Sequence, residues 1–161
     1  ALSDSLTAFG TLDQPCNYTY GAQDLTLLSP LSPGVYCSTS SFSLSGNLTL
    51  TGSGVYIFKT VSTLITSPGS SITGGSSCNV WWRVGSSATL ATTTSFIGNI
   101  LMYQGATLNT GATINGRVLG QAGSTVTLES NTFTTTDCST TSASGTSTTT
   151  TVPSLPNTGL A

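Results

Sequence analysis

The stretch that decides the fold is ATLATTTSFIGNILMYQGATLNTGATINGRVLG, residues 88–120. It holds three short patterns, and each of them returns 18 residues later. The copies are Ala88-Thr89-Leu90 with Ala106-Thr107-Leu108, Ser95-Phe96-Ile97 with Thr113-Ile114-Asn115, and Ile100-Leu101-Met102 with Val118-Leu119-Gly120. β-Branched and aromatic runs separated by Gly, Ser and Asn are typical of strands and turns. Three strands in every repeat indicate a β-solenoid.

Further copies extend the repeat on both sides. The leucines of the first pattern are spaced by 26, 18 and 20 residues, at Leu64, Leu90, Leu108 and Leu128. We therefore predict a mainly β fold, a parallel β-solenoid with coils of roughly 18 to 20 residues. Each pattern stacks on its own copy about 4.8 Å away, which builds three flat sheets around a narrow core.

Alternation along each strand assigns side chains to the inside and the outside. On the first face the predicted inward residues are Leu64, Leu90, Leu108 and Leu128, and the outward ladder is Thr63, Thr89, Thr107 and Thr127. On the second face the inward residues are Ile72, Phe96, Ile114 and Phe133. Its outward residues are Ser71, Ser95, Thr113 and Thr132, with Thr73, Ile97, Asn115 and Thr134 two positions along.

The third face is apolar on both sides. Val80, Ile100 and Val118 point inward, while Trp81, Leu101 and Leu119 point outward. A sheet of this kind needs a cover. The segment of about residues 1–12 places Leu2, Leu6 and Phe9 on one stripe of a short amphipathic helix. We expect this helix to pack along the third face.

The composition argues against several classes of function. Among 161 residues there are three Lys and Arg, five Asp and Glu, and no His. Three scattered cations cannot neutralise a nucleic-acid backbone, and no apolar run approaches a membrane span. Enzymes of this fold need clustered acids and bases that the sequence lacks. We predict a non-catalytic protein without a metal or other cofactor.

Four cysteines occupy positions 16, 37, 78 and 138, far from any metal-ligand spacing. Disulfides fit them better than metal, free buried thiols remain the alternative, and four cysteines allow three connectivities. Disulfides imply a secreted protein. The segment after Cys138 is Ser/Thr-rich, so we predict a solenoid domain over 1–138 and a linker over 139–161.

Several blocks of the chain resemble the bacterial and fungal ice-binding protein family. They are PGVYC at 33–37, SSCNVWWRVGSSATL at 76–90, FIGNILM at 96–102 and TLNTGATINGR at 107–117. The resemblance implies a right-handed, discontinuous solenoid with one helix along a face. It also implies pairing of Cys16 with Cys37 and of Cys78 with Cys138. Family members typically have further coils before the helix, and we expect these to be missing from this chain.

The resemblance implies an ice crystal surface as the partner of a monomeric protein. The second face is our first choice for ice contact, because Thr110-Gly111-Ala112-Thr113 resembles the Thr-Ala/Gly-x-Thr/Asn pattern of some family members. Thr110 therefore joins the outward residues of that face. The first face, with its threonine ladder, is the second choice because Glu129 places a charge at its edge.

A second resemblance lies at the C-terminus. Leu155-Pro156-Asn157-Thr158-Gly159 resembles a sortase sorting motif, which implies attachment to the peptidoglycan of a cell wall. The alternative to an ice-binding function is therefore a cell-surface adhesin or stalk module that uses the same solenoid.

Overall fold

The computed structural model describes residues 2–138, with side chains from Asp4 onward. The chain forms a parallel β-solenoid of about six coils, preceded by one α-helix, α1, over Leu2–Thr11. The predicted fold class and the helix are confirmed. The predicted sorting motif and linker lie outside the described residues.

The strands form three parallel sheets, one for each predicted face. In each sheet the strands lie side by side in chain order. The strands of the first face are β2 Gln23–Asp24, β4 Phe42–Leu44, β7 Leu64–Thr66, β10 Ser87–Leu90, β13 Gly105–Leu108 and β16 Thr125–Leu128. Those of the second are β5 Asn47–Leu50, β8 Ser71–Gly74, β11 Ser95–Ile97, β14 Thr113–Asn115 and β17 Thr132–Thr134. Those of the third are β1 Tyr18–Tyr20, β3 Gly34–Ser38, β6 Tyr56–Thr60, β9 Val80–Val84, β12 Asn99–Met102 and β15 Val118–Gly120.

The solenoid begins earlier than the repeat pattern indicated. Residues 18–50 supply the first two coils, and a short 3-10 helix at Leu25–Leu28 stands where a strand of the second face would otherwise lie in the first coil. The alternation is present in this part as well, since Phe42, Leu44, Leu48 and Leu50 are buried, but these strands were not included in the predicted repeat.

The core lies between the three sheets. Leu64, Leu90 and Leu108 are fully buried, as the alternation predicted. Rings also stack through the coils, with Phe58 parallel to Trp82 at 4.1 Å between centroids. Leu128 is in register with Leu108, yet its side chain is 47% exposed because β16 is the edge strand of its sheet.

The third face is covered by α1, as predicted. Ala8, Phe9 and Leu12 pack on Ile57, Trp81 and Leu101 in a second apolar cluster on the outside of the sheet. The main chain is held as well, because Arg83 Nε donates to the Phe9 carbonyl at 2.9 Å. The predicted stripe is wrong at Leu6, whose side chain is 56% exposed. Ala8 and Phe9 of the helix, with Leu12 just after it, instead shield the outward apolar residues of the sheet from water.

The register of the third face differs from the prediction. Trp81 pairs with Asn99, and Leu101 pairs with Arg83, so the predicted stacking of Trp81 on Leu101 is wrong by two residues. The prediction of which side chains point inward and which point outward is still correct, because a shift of two residues keeps every side chain on the same side of the sheet. Trp82 therefore points into the core and Trp81 toward the helix.

Both disulfides implied by the family resemblance are present. Cys16 bonds to Cys37, which ties the segment after α1 to β3. Cys78 bonds to Cys138, which joins the chain after the last strand to the loop before β9. The alternative of free buried thiols is wrong.

Candidate functional site

The second face carries two outward columns of polar side chains. In the first column the paired residues are Asn47, Ser71, Ser95, Thr113 and Thr132. In the second column Thr49 pairs with Thr73, and Ile97, Asn115 and Thr134 pair in turn. Neighbouring strands lie about 4.8 Å apart and alternate residues of a strand about 6.7 Å apart. The face is therefore a two-dimensional array of hydroxyl, amide and methyl groups.

The columns extend one coil beyond the predicted set. Asn47 and Thr49 were missed by the sequence analysis, although Asn47-Leu48-Thr49 repeats the polar-apolar-Thr order of Ser71-Ile72-Thr73. That shared order is the signal that could have found them. Asn47, Thr73, Ser95 and Thr113 are exposed to solvent.

The early and late coils of this face differ in how their polar groups are satisfied. Ser71 Oγ donates to Asn47 Oδ1 at 2.8 Å, and Asn47 Nδ2 donates to Thr49 Oγ1 at 3.0 Å. The hydroxyls of Ser95, Thr113, Thr132 and Thr134 make no hydrogen bond to another group of residues 2–138. These hydroxyls are left to order water at the surface.

Thr110 does not lie in either outward column. It occupies the turn between β13 and β14, at the corner between the first and second faces, and its hydroxyl donates to Glu129 Oε2 at 3.3 Å. The prediction that Thr110 joins the outward residues of the second face is therefore wrong. The turn at Gly111, with φ +77°, separates Thr110 from the strand that begins at Thr113.

The first face has the threonine ladder in part. Thr89, Thr107 and Thr127 are in register as predicted, but Thr89 pairs with Ile65 rather than with Thr63. The ladder therefore continues through Ile65 to Ser43, and the prediction for Thr63 is wrong.

The cause of this error is an inward polar residue. Thr66 is buried, in register with Leu44, and its hydroxyl lies 2.7 Å from that of the buried Thr94. A threonine in a position that elsewhere holds leucine disguises the alternation. The Leu64 pattern was consequently aligned two residues out of register.

Charge distinguishes the two faces. The outward columns of the second face contain no charged residue. The outward column of the first face continues through Ser43 to Asp24, and Glu129 follows directly after β16. Burial by itself raises the pKa of Asp24, but hydrogen bonds from the Ser45 hydroxyl and from the backbone N–H groups of Thr26 and Ser45 outweigh it and leave the pKa below its usual value. The folded chain thus favours the charged form of this carboxylate.

Other kinds of site are not indicated by the described part of the chain. Within residues 2–138 no group of three or more His, Cys, Asp or Glu residues is placed to hold a metal ion. The one described helix is too short to cross a membrane.

The fold and the second face define a class of protein. It is a parallel solenoid with one flat, uncharged, hydroxyl-bearing sheet and a helix that covers its apolar third sheet. The chain belongs to the ice-binding-like family, which its sequence matches over residues 1–134. An ice-binding protein of Nostoc sp. strain HG1 is 42% identical over 145 residues, covering 80% of this chain and 54% of that relative.

Two solved structures of ice-binding proteins are similar to this chain in fold and in sequence. One from the Antarctic ascomycete Antarctomyces psychrotrophicus superposes with a TM-score of 0.75 at 37% identity, covering 84% of this chain and 70% of that one. One from an Antarctic biological consortium superposes with a TM-score of 0.74 at 33% identity, covering 83% and 64%. The chain thus spans about half the length of the Nostoc relative and a larger share of each of the two solved structures.

Proposed function

We propose that this protein binds ice through the second face and restrains the growth or recrystallisation of ice crystals. The observation that carries the proposal is the register of the two outward columns, in which Thr113 lies beside Thr132 and Asn115 beside Thr134. The family match and the ice-binding relatives support this function over that of an adhesin or stalk module.

The physical basis is a match between an ordered water layer and the ice lattice. Stacked strands hold hydroxyl and methyl groups at fixed intervals of about 4.8 and 6.7 Å. Threonine suits this task because its β-branched side chain has few χ1 rotamers. Water that is ordered over such an array can join the lattice with little further loss of entropy.

The second face is preferred to the first because it is uncharged. Ionised carboxylates hold their hydration shell strongly, and removing that shell is costly. Asp24 places such a charge in the outward column of the first face. Glu129 lies in the turn between the first and second faces, outside both outward columns of the second. The first face remains the second candidate, since Thr89, Thr107 and Thr127 form a regular ladder there.

Thermal hysteresis and inhibition of ice recrystallisation test the function. Circular dichroism first establishes that the purified chain is folded. Activity of the folded chain in both assays is the expected result. A folded chain without either effect would favour the adhesin alternative.

Secretion and attachment to a cell wall are part of the same proposal. The two disulfides suit an oxidising, extracellular compartment. The LPNTG sequence at 155–159 supplies the Thr158–Gly159 bond that a sortase would cleave. Incubation with a sortase and a labelled oligoglycine amine should label the chain, whereas a Thr158→Val variant should stay unlabelled. Equal labelling of both would contradict the proposal.

The monomeric state is likewise proposed from the resemblance. Light scattering of the purified chain should give the mass of one chain, 16.3 kDa. A mass of twice that value would contradict it.

A further inference from the structure

A groove lies beside the C-terminal end of α1, on the third face and the turns that lead from it to the first face. Its volume is about 420 Å³, within the range of small-molecule sites. Phe9, Tyr103 and the Cys16–Cys37 disulfide supply much of the apolar wall. Lys59 and Arg83 supply the charge. The ice-binding proposal makes no use of this groove.

Two of the three basic residues of the chain line the groove. Lys59 and Arg83 are register partners on β6 and β9, so their side chains leave the third face next to each other. Asp13 is the one acidic residue in the lining. The local charge is therefore positive in a chain whose net charge is −2.

The two cations differ in how far they are already paired. Lys59 Nζ lies 2.9 Å from Asp13 Oδ1 and donates to the Gln14 carbonyl at 2.6 Å. Arg83 uses Nε for the Phe9 carbonyl, and its guanidinium carbon lies 4.1 Å from the centre of the Phe9 ring. No carboxylate within residues 2–138 forms a salt bridge with Arg83. Both Nη groups are thus left for a ligand that enters the groove.

We propose that this groove binds the carboxylate-bearing ring of a hexuronate, as found in acidic glycans. Arg83 receives the carboxylate through its Nη groups, for which a planar carboxylate is the matching acceptor. The neighbouring Lys59 adds positive potential, and Phe9 beneath the guanidinium holds it in place.

The rest of the lining selects a sugar ring over a simple carboxylate. The volume exceeds what a two-carbon acid would fill, so such an acid would leave much of the groove wet. Tyr103, 54% exposed, offers a ring edge and face against which a pyranose can pack. Thr19 and Thr39 belong to the same lining. The Thr39 hydroxyl donates to the Tyr20 carbonyl at 3.4 Å, and its oxygen can still accept a hydrogen bond from a sugar hydroxyl.

Titration of the ¹⁵N-labelled chain with digalacturonate tests the proposal, with the methyl ester of the same disaccharide as the uncharged control. Saturable shifts of the amides of Thr39, Lys59 and Tyr103 are expected for the acid. The ester should bind about tenfold more weakly, because it lacks the charge that Arg83 recognises. Equal binding of acid and ester, or the absence of saturable shifts, would overturn the proposal.

Three variants locate the site. Arg83→Gln should weaken digalacturonate binding about tenfold, and Asp13→Asn should strengthen it, since a like charge is removed. Arg83 also holds α1, so a thermal melt first checks that its variant is folded. Tyr103→Ala removes an exposed ring and keeps the charges. It should weaken the binding of digalacturonate while leaving the ice activity unchanged, and unchanged sugar binding would overturn the assignment.

Discussion

Thr107 and Thr113 lie in the same coil but on different sheets. Thr107 pairs with Thr127 on the first face, and Thr113 pairs with Thr132 on the second. Both residues are threonines of one coil, and that coil lies toward the C-terminal end of the solenoid. They therefore form a matched pair with which to decide which face contacts ice.

Thr113→Tyr should remove more than half of the thermal hysteresis, because a bulky ring lifts the flat array away from the ice surface. Thr107→Tyr, the matched control, should keep most of the activity. Thermal hysteresis at equal concentrations of folded protein measures both. Loss of activity in Thr107→Tyr alone would mean that the first face binds ice.

The two disulfides should differ in their contribution to stability. Cys78 and Cys138 are 60 residues apart, and Cys16 and Cys37 are 21 apart. Loop-closure entropy predicts losses of about 4 and about 3 kcal/mol when each pair is replaced by serine. Denaturation in guanidinium chloride checks this order. A larger loss for the Cys16 and Cys37 variant would contradict the entropic account.

Gly116 should not tolerate a side chain. Its φ is +148°, and an added Cβ would collide with the carbonyl oxygen of Gly98 in the coil below. Gly116→Ala is expected to lower the free energy of unfolding by about 2 to 3 kcal/mol. Gly10→Ala is the control, because that helical position has open space around it and should gain about 0.5 to 1 kcal/mol. Similar stabilities for the two variants would contradict the close approach of Gly116 to the Gly98 carbonyl.

Asp24 should make the stability depend on acid pH. Its pKa is lower in the folded chain than the ordinary 3.8, so its contribution is present above that value and is lost as the pH falls through the folded pKa. Urea unfolding between about pH 5 and pH 2 should show a decline in stability. The Asp24→Asn variant should be less stable at the upper pH and show a shallower decline. An equally steep decline would exclude Asp24 as a main cause.

Much of the fold could be predicted from the sequence, because alternation along the strands and a repeat of roughly 18 to 20 residues leave few other arrangements. The inward leucines, the apolar third face and its covering helix follow from these patterns alone. The pairing of Cys16 with Cys37 does not, since four cysteines permit three connectivities and only the family resemblance separated them.

The pairing of residues between neighbouring strands was predicted less well, because it depends on how far each strand is shifted along the next. Thr66 and Thr94 meet in the core through their hydroxyls, and an inward threonine is indistinguishable in sequence from an outward one. The same ambiguity hid Ile65 on the outside of the first face. Thr110 was misplaced because a local sequence match does not show where the turn ends and the strand begins.

Adsorption to ice is the most direct measurement of the central claim. An ice shell grown slowly in a dilute solution of the folded chain should be enriched in the protein, and the remaining liquid depleted. The Thr113→Tyr variant should stay mainly in the liquid, whereas Thr107→Tyr should enter the ice with the wild type. Exclusion of the folded wild-type chain from the ice would contradict the account.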